Sequence, residues 1–233
     1  MMMKSDIPPS DEFRDQAYFA SHHQYQKIYR YSNEDPERFW INTASELHWF
    51  KRWKKAKQGR VFNSKWFVGG RTNISFNCLD VHLNTERRNK AALIWVSENG
   101  ETKIFIYQLL ITNVCNFAHT LKEFGVKKGD NIVIYMGLVP ETVIAMLACT
   151  RIGAIPSVIY NGLSANALSG RIKILECELV ITQDYILRKG SYIPIKEKVD
   201  KAIEENTDVK NVIIFQCYQE ADIKLHPERD IFW

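Results

Sequence analysis

The sequence has no long apolar run. No stretch approaches the roughly 18 consecutive apolar residues of a membrane-spanning helix, so a transmembrane segment is not expected. Cysteine is sparse. The five, Cys78, Cys115, Cys149, Cys177 and Cys217, stand far apart, without the short spacing of a zinc knuckle or redox dithiol. They read as reduced thiols, several of them buried, which suits an intracellular compartment. Of the six histidines only His22 and His23 are close, and adjacent helical residues do not face each other, so no metal site is expected. GxGxxG, GxxxxGK, HExxH and EF-hand patterns are all missing, which removes the common phosphate loops and metal motifs. A strong excess of either charge is missing too: 31 basic and 27 acidic residues leave a net +4, far from the concentrated basic face of a nucleic-acid binder. No nucleic-acid partner is expected. The densest basic run, Lys51 to Lys57, sits beside Trp49, Phe50 and Trp53 and reads as a solvated helix face over buried tryptophans, with a membrane or RNA patch as the alternative. The opening MMMKSDIPPSDEF holds no apolar signal core, and a cytoplasmic or nucleocytoplasmic location is expected.

What is present is an ordinary globular composition, 45% hydrophobic and 25% charged over 233 residues. Residues 1–83 are aromatic-rich and irregular and read as an extension wrapped over a larger domain, with Trp40, Trp49, Trp53 and Trp66 as anchors. Asp11 to Tyr31 reads as one helix. Asp35-Pro36-Glu37 reads as a helix start, an N-cap aspartate followed by proline and an acid. Trp66 to Asn73, with Gly69-Gly70, reads as a turn or loop.

Residues 84–233 are more regular. Ala91–Ser97 and Lys103–Tyr107 flank Asn99-Gly100 and predict a β-hairpin. Leu110, Val114, Phe117, Leu121 and Phe124 recur at helical spacing before Gly125. Strands at 131–136, 155–160, 178–182 and 211–215 then alternate with helices at 140–152, 164–175 and 195–205. Short Ile/Val-rich strands alternating with helices predict an α/β fold with a mostly parallel sheet and flanking helices.

Ligands of open α/β sheets sit beyond the carboxyl ends of the strands, often at helix N-termini. Two loops qualify. Asn161-Gly162-Leu163-Ser164 opens a helix and offers backbone N–H groups to an anion, unless Gly162 simply makes the turn. Arg188 and Lys189 beside Gly190 and Ser191 form a cationic turn able to hold a phosphate, unless the pair is merely solvated. Asp80 and His82 stand two apart and suit a structural hydrogen bond. Ser157, Ser164 and Ser191 have no base partner by pattern, and no complete catalytic set is visible.

Several segments together carry a resemblance. Tyr31 to Trp40, Trp66 to Asn73, Asn77 to Asp80, Ala91 to Trp95, Gly125 to Asp130, and Pro140-Glu141 with Ala145 to Cys149 resemble, in order and spacing, segments of the acyl-adenylate-forming, AMP-binding enzymes, and among them the acetyl-CoA synthetases. The resemblance spans nearly the whole chain and implies the first part of the large domain of such an enzyme. It implies a two-step reaction in which a small-molecule carboxylate such as acetate reacts with ATP, with Mg2+ assisting, and the acyl group then passes to coenzyme A. It further implies that the loop Asn161, Gly162, Ser164 and the turn Arg188, Lys189, Ser191 help hold coenzyme A. The family usually has Gly-Gly-Phe-Ser at 161–164, often a second basic residue at 191, an arginine at Val81 and a proline at Gly137. These departures mark a divergent member. The family's Ser/Thr/Gly-rich phosphate loop, acyl pocket, magnesium-binding acid and lysine-bearing lid have no counterpart in these residues. A truncated gene product without ligase activity of its own is therefore expected. A stand-alone binding or regulatory module is the runner-up, and an unrelated nucleotide-binding α/β protein a third reading.

Overall fold

The computed structural model describes residues 8–204, 208–218 and 223–233. Contacts divide the chain into two compact units, 1–72 and 73–233.

In the first unit, Asp11–Tyr31 is two helices rather than the one expected. α1 (Asp11–Gln16) ends where Ala17 turns extended, and α2 (His22–Glu34) restarts under its own cap, Ser21, whose Oγ accepts the Gln24 N–H at 3.2 Å. Asp35 caps α3 (Pro36–Ala44), accepting the Arg38 N–H at 3.1 Å, as its sequence predicts. The basic run is not a helix face. Lys51 bridges to Arg71, and Lys55–Gln58 forms β1, antiparallel to β2 (Lys65–Val68). Its lysines are largely solvated, but the tryptophans are not buried. Trp49 and Trp53 are half-buried in an aromatic cluster with Phe67, Trp53 edge-on to both other rings, and Trp40 and Trp66 are exposed. Gly69-Gly70 follows β2 for a steric reason. Gly69 has φ +80°, and a Cβ on Gly70 would stand 2.6 Å from the Trp49 ring.

The second unit opens with α4 (Ile74–Cys78), capped by Asn73. Asp80 does not engage His82. It makes a two-point ion pair with Arg151 at 2.8 and 2.9 Å, while the His82 ring meets Tyr107 edge-on. β3 (Ala91–Val96) and β4 (Thr102–Ile106) form the expected antiparallel hairpin, a small sheet of its own. Trp95 Nε1 donates to the Leu138 carbonyl at 2.7 Å. Then come α5 (Tyr107–Glu123), β5 (Asn131–Tyr135), α6 (Pro140–Ile152), β6 (Ile155–Val158), α7 (Ala165–Ile174), β7 (Leu179–Gln183), β8 (Tyr185–Arg188), β9 (Ser191–Pro194), α8 (Lys196–Ile203), β10 (Asn211–Phe215) and β11 (Asp230–Phe232). The expected end of α8 at Glu205 lies outside the described residues.

Five strands make one parallel sheet in the order β11-β10-β7-β5-β6. Alternation along each strand explains the layers. Ile132, Ile134, Ile181 and Ile213 face α5 and α6 in one core cluster. Val133, Tyr135, Val180, Val212 and Ile214 join α7 and α8 in the other. Helices on both faces account for strands that read as unbroken apolar runs. From β5 the chain steps outward to β6, then crosses back to β7, β10 and β11. The winding direction thus reverses between β5 and β7, the switch point at which open α/β sheets bind ligands.

Candidate functional site

The site is assembled at the carboxyl ends of β5 and β7. Beyond β5, the Gly137 N–H donates to Gln183 Oε1 at 2.6 Å, and Gln183 Nε2 donates to the Tyr185 carbonyl at 2.6 Å. A Cβ on Gly137 would stand 2.9 Å from Ile186 Cγ2, so glycine lets the β5 exit and the β8–β9 hairpin close together. A proline here would also lack the N–H that Gln183 accepts.

The loop from Asn161 to Ser164 is held from below. Tyr135 is fully buried, and its hydroxyl lies 2.7 Å from the Asn161 carbonyl and 3.0 Å from that of Leu163. Burial pushes its phenol pKa up, which keeps it a neutral donor. Asn161 does not project into the loop mouth. Its Nδ2 donates to the Met136 carbonyl at 3.1 Å, a staple that a glycine would not supply. A Cβ on Gly162 would stand 2.4 Å from the ring of Tyr160, an exposed side chain with room to turn aside. Ser164 caps α7, its Oγ accepting the Ala167 N–H at 3.3 Å. The first-turn N–H groups of α7 thus form a locally positive end beside this loop.

Residues 183–192, expected as a loop, instead complete β7 and enter an antiparallel hairpin of β8 and β9, with Arg188 paired to Ser191. Its two-residue turn, Lys189-Gly190, has φ +51° and +73°, the left-handed pair that such a turn requires. Arg188 to Ser191 are all exposed. The Arg188 and Lys189 side chains make no ion pair or hydrogen bond among the described residues, so both charges are available to an anion. The Gly190 N–H already lies 3.4 Å from Glu98 Oε2 of the β3–β4 turn. The six candidate residues therefore share one edge of the sheet in two sets. Asn161 reaches it through Met136, and the hairpin through Gly137. No hydrogen bond among the described residues joins the sets directly.

Two polar centres escaped sequence reasoning. Asp184, completely buried, gathers backbone N–H groups at the foot of the hairpin. Lys196, 1% exposed, pairs with Asp200 and Asp230 at 2.7 Å each, and Arg229 reaches the same two acids. The readable sign was a charge placed directly against an apolar strand or helix, as in Gln183-Asp184 and Ile195-Lys196. The thiol of Cys217 is pushed up to about 12, by burial first and then by the Asp184 carboxylate 2.9 Å from its sulfur.

A cleft of about 400 Å3 lies at the opposite, amino-terminal edge of the sheet, between Lys127, Asn131, Glu176 and Lys210. It is not at the switch point, and Lys210 is already paired with Glu178 at 2.8 Å. Among the described residues no group of three His, Cys, Asp or Glu is placed to hold a metal, and no helix is long and apolar enough to cross a membrane. The charges and N–H groups at the carboxyl edge fit a ligand bearing several phosphates. They offer no carboxylate cluster for Mg2+.

Comparison with known proteins places the fold in a family. Residues 25–78 match the family described as acetyl-coenzyme A synthetase N-terminus, and residues 80–230 match AMP-binding enzyme. The chain is 43% identical over 227 residues to acetyl-coenzyme A synthetase of Chlorobaculum tepidum, covering 97% of this chain and 34% of that protein. It is 42% identical over 214 residues to 3-hydroxypropionyl-coenzyme A synthetase of Sulfurisphaera tokodaii, covering 90% of this chain and 32% of that one. The structure of acetoacetyl-CoA synthetase from Streptomyces lividans shares the fold, with TM-score 0.81 at 20% identity over 96% of this chain and 34% of the other. The chain thus spans about a third of the length of the relatives it matches. With both family matches falling in order along it, the chain belongs to the AMP-binding enzymes, in the group whose N-terminal region is that of the acetyl-coenzyme A synthetases.

Proposed function

We propose that this chain forms the N-terminal portion of a short-chain acyl-CoA ligase, with acetate as the acid. In that reaction a carboxylate oxygen bonds to the α-phosphorus of ATP and pyrophosphate leaves. The coenzyme A sulfur then bonds to the acyl carbon and AMP leaves. The observation that carries the reading is the pair of family matches over 25–78 and 80–230, on a fold whose carboxyl edge presents free cations. Arg188 would take a phosphate of coenzyme A through its planar guanidinium, with Lys189 adding a point charge. The α7 N-terminus with Ser164 would receive a second anionic group. Asn161 and Gly162 would shape that loop, and Ser191 would add a hydroxyl beside Arg188. Free thiols at all five cysteines suit a cytoplasmic place.

The residues present bind rather than catalyse in this proposal. The chain carries no Ser/Thr/Gly-rich phosphate loop, so charge developing on the α-phosphate would meet no preorganised donor from it. The test is acetate-dependent exchange of labelled pyrophosphate into ATP. It is run on the 233-residue chain and on the product of the complete reading frame. Exchange by the complete product but not by the chain is expected. Exchange by the chain alone refutes the binding-only role, and none by the complete product refutes the ligase reading.

A further inference from the structure

Asp184 is a buried carboxylate with no cationic partner among the described residues. Backbone groups satisfy it instead. Oδ1 accepts the N–H of Tyr185 at 2.7 Å and of Cys217 at 3.0 Å, with the Cys217 thiol at 2.9 Å, and Oδ2 accepts the Tyr218 N–H at 2.9 Å. Its main chain extends the same junction. Its N–H donates to the Phe215 carbonyl at 3.1 Å, and its carbonyl accepts from Ile195 at 3.0 Å and Lys196 at 3.3 Å. One residue therefore ties the end of β7, both feet of the β8–β9 hairpin, the start of α8 and the exit from β10.

The hairpin needs this junction. An isolated two-stranded hairpin is marginal in water, and in this one only Ile186 is buried. With so little packing of its own, its direction is set mainly at its base, and its tip carries Arg188 and Lys189. An ionised carboxylate is acceptor-only with about four lone-pair sites, which matches donors converging from three residues. An asparagine would turn one NH2 group towards N–H groups.

We propose that Asp184 is a positioning residue, whose carboxylate aims the Arg188 turn at a phosphorylated ligand by tying the first foot of the hairpin to the exit from β10. The proposal rests on the reading of Arg188 as a ligand of a coenzyme A phosphate, and it assigns that phosphate as the 3′ one. The experiment is calorimetric titration of the 233-residue chain with coenzyme A and with dephospho-coenzyme A, for the unaltered protein, Arg188→Ala, Asp184→Asn and the double variant. Asp184→Asn is expected to weaken coenzyme A binding about tenfold, the scale of one charge-assisted hydrogen bond. Arg188→Ala should do the same, and the double variant should bind no worse than Arg188→Ala alone, because Asp184 acts through Arg188. Dephospho-coenzyme A binding should barely change. A Val114→Ala control, which loosens the other core cluster, should keep the unaltered affinity. Unaltered binding in Asp184→Asn, a double variant weakened by the product of both effects, or an equally weakened control overturns the positioning role. An unchanged Arg188→Ala overturns the coenzyme A reading instead, and an unaltered chain indifferent to the 3′-phosphate overturns the 3′ assignment. Hydrogen exchange on the unaltered chain needs no variant to fold. The Cys217 and Tyr218 amides should exchange as slowly as those of β7, and fast exchange there overturns the clamp.

Discussion

Lys196→Met is the most informative perturbation of stability. Lys196, Arg229, Asp200 and Asp230 form a cluster of two cations and two anions, and the Asp230 side chain is 0% exposed. Methionine keeps the length of the lysine stem but removes both 2.7 Å contacts, leaving one cation to two acids, the Asp230 side chain buried and that of Asp200 partly exposed. Breaking a buried ion pair by deleting one partner costs about 3–5 kcal/mol. Arg229 still reaches Asp230 at 2.7 Å, and the His226 N–H donates to it at 3.0 Å, which places the loss near the lower end. At a urea slope of roughly 2 kcal/mol per M, a loss of about 3 kcal/mol lowers the midpoint by about 1.5 M. The pH dependence has a defined sign. Burial pushes the Asp230 carboxyl up, but hydrogen bonds from Arg229, Lys196 and the His226 backbone outweigh it and hold the pKa below the ordinary value. Asp230 therefore contributes stability above about pH 4, which is lost as pH falls through its lowered folded pKa. The gap between the two proteins should be widest near neutrality and narrow below about pH 4. Adding Asp230→Asn restores a balance of one cation to one anion, so the double variant should lose less than the two singles summed, by at least about 1 kcal/mol. A midpoint shift under about 0.3 M for Lys196→Met, or strict additivity in the double variant, would refute the reasoning.

Two further outcomes follow from local geometry. Gly153 ends α6 at φ +82°, and a Cβ there would meet Lys128 Cγ at 2.9 Å, so Gly153→Ala should cost about 1–2 kcal/mol and lower the melting temperature by several degrees. The thiols should alkylate unequally at pH 8: exposed Cys78 first, and Cys149, pushed up to about 12 by burial, only after unfolding. Cys217, though at the surface, should lag well behind Cys78 because its thiol is also pushed up to about 12, and mass-resolved labelling at matched rates for the two would contradict that.

Periodicity reached the core elements because their signal is local. The α5 stripe, the β3–β4 turn and the Gly153 stop each lie within a few residues of what they determine. The hairpin at 185–194 was missed for the opposite reason. Its alternation is only four residues per strand, and its turn has lysine where glycine or asparagine would announce the left-handed conformation. Asp11–Tyr31 was read as one helix because its apolar positions keep helical spacing through the break, and only the second cap, Ser21, betrays the restart. β11 went unread because a three-residue strand at a sheet edge is held by its partner and by the Asp230 ion cluster, not by its own pattern.

The site divides along the same line. Arg188 and Gly162 were nameable from residue type and position after a strand. What places them was not, because Tyr135, Gln183 and Asp184 act across strands distant in sequence, and nothing local shows that a tyrosine closing β5 holds a loop beyond β6. Reversal of the winding between β5 and β7 is likewise a property of strand order, which no periodicity encodes. Yet it is this order that brings the exits of β5 and β7 side by side, so that Gly137 can meet Gln183. On its other side β5 pairs with β6, which brings the Asn161 loop to Met136, so both candidate loops meet the one segment Met136-Gly137. Residue chemistry thus proposes the ligand class, and topology decides whether the charges can act together. The phosphate contact proposed at Arg188 would accordingly be a property of the folded sheet edge and not of the tetrapeptide that carries it.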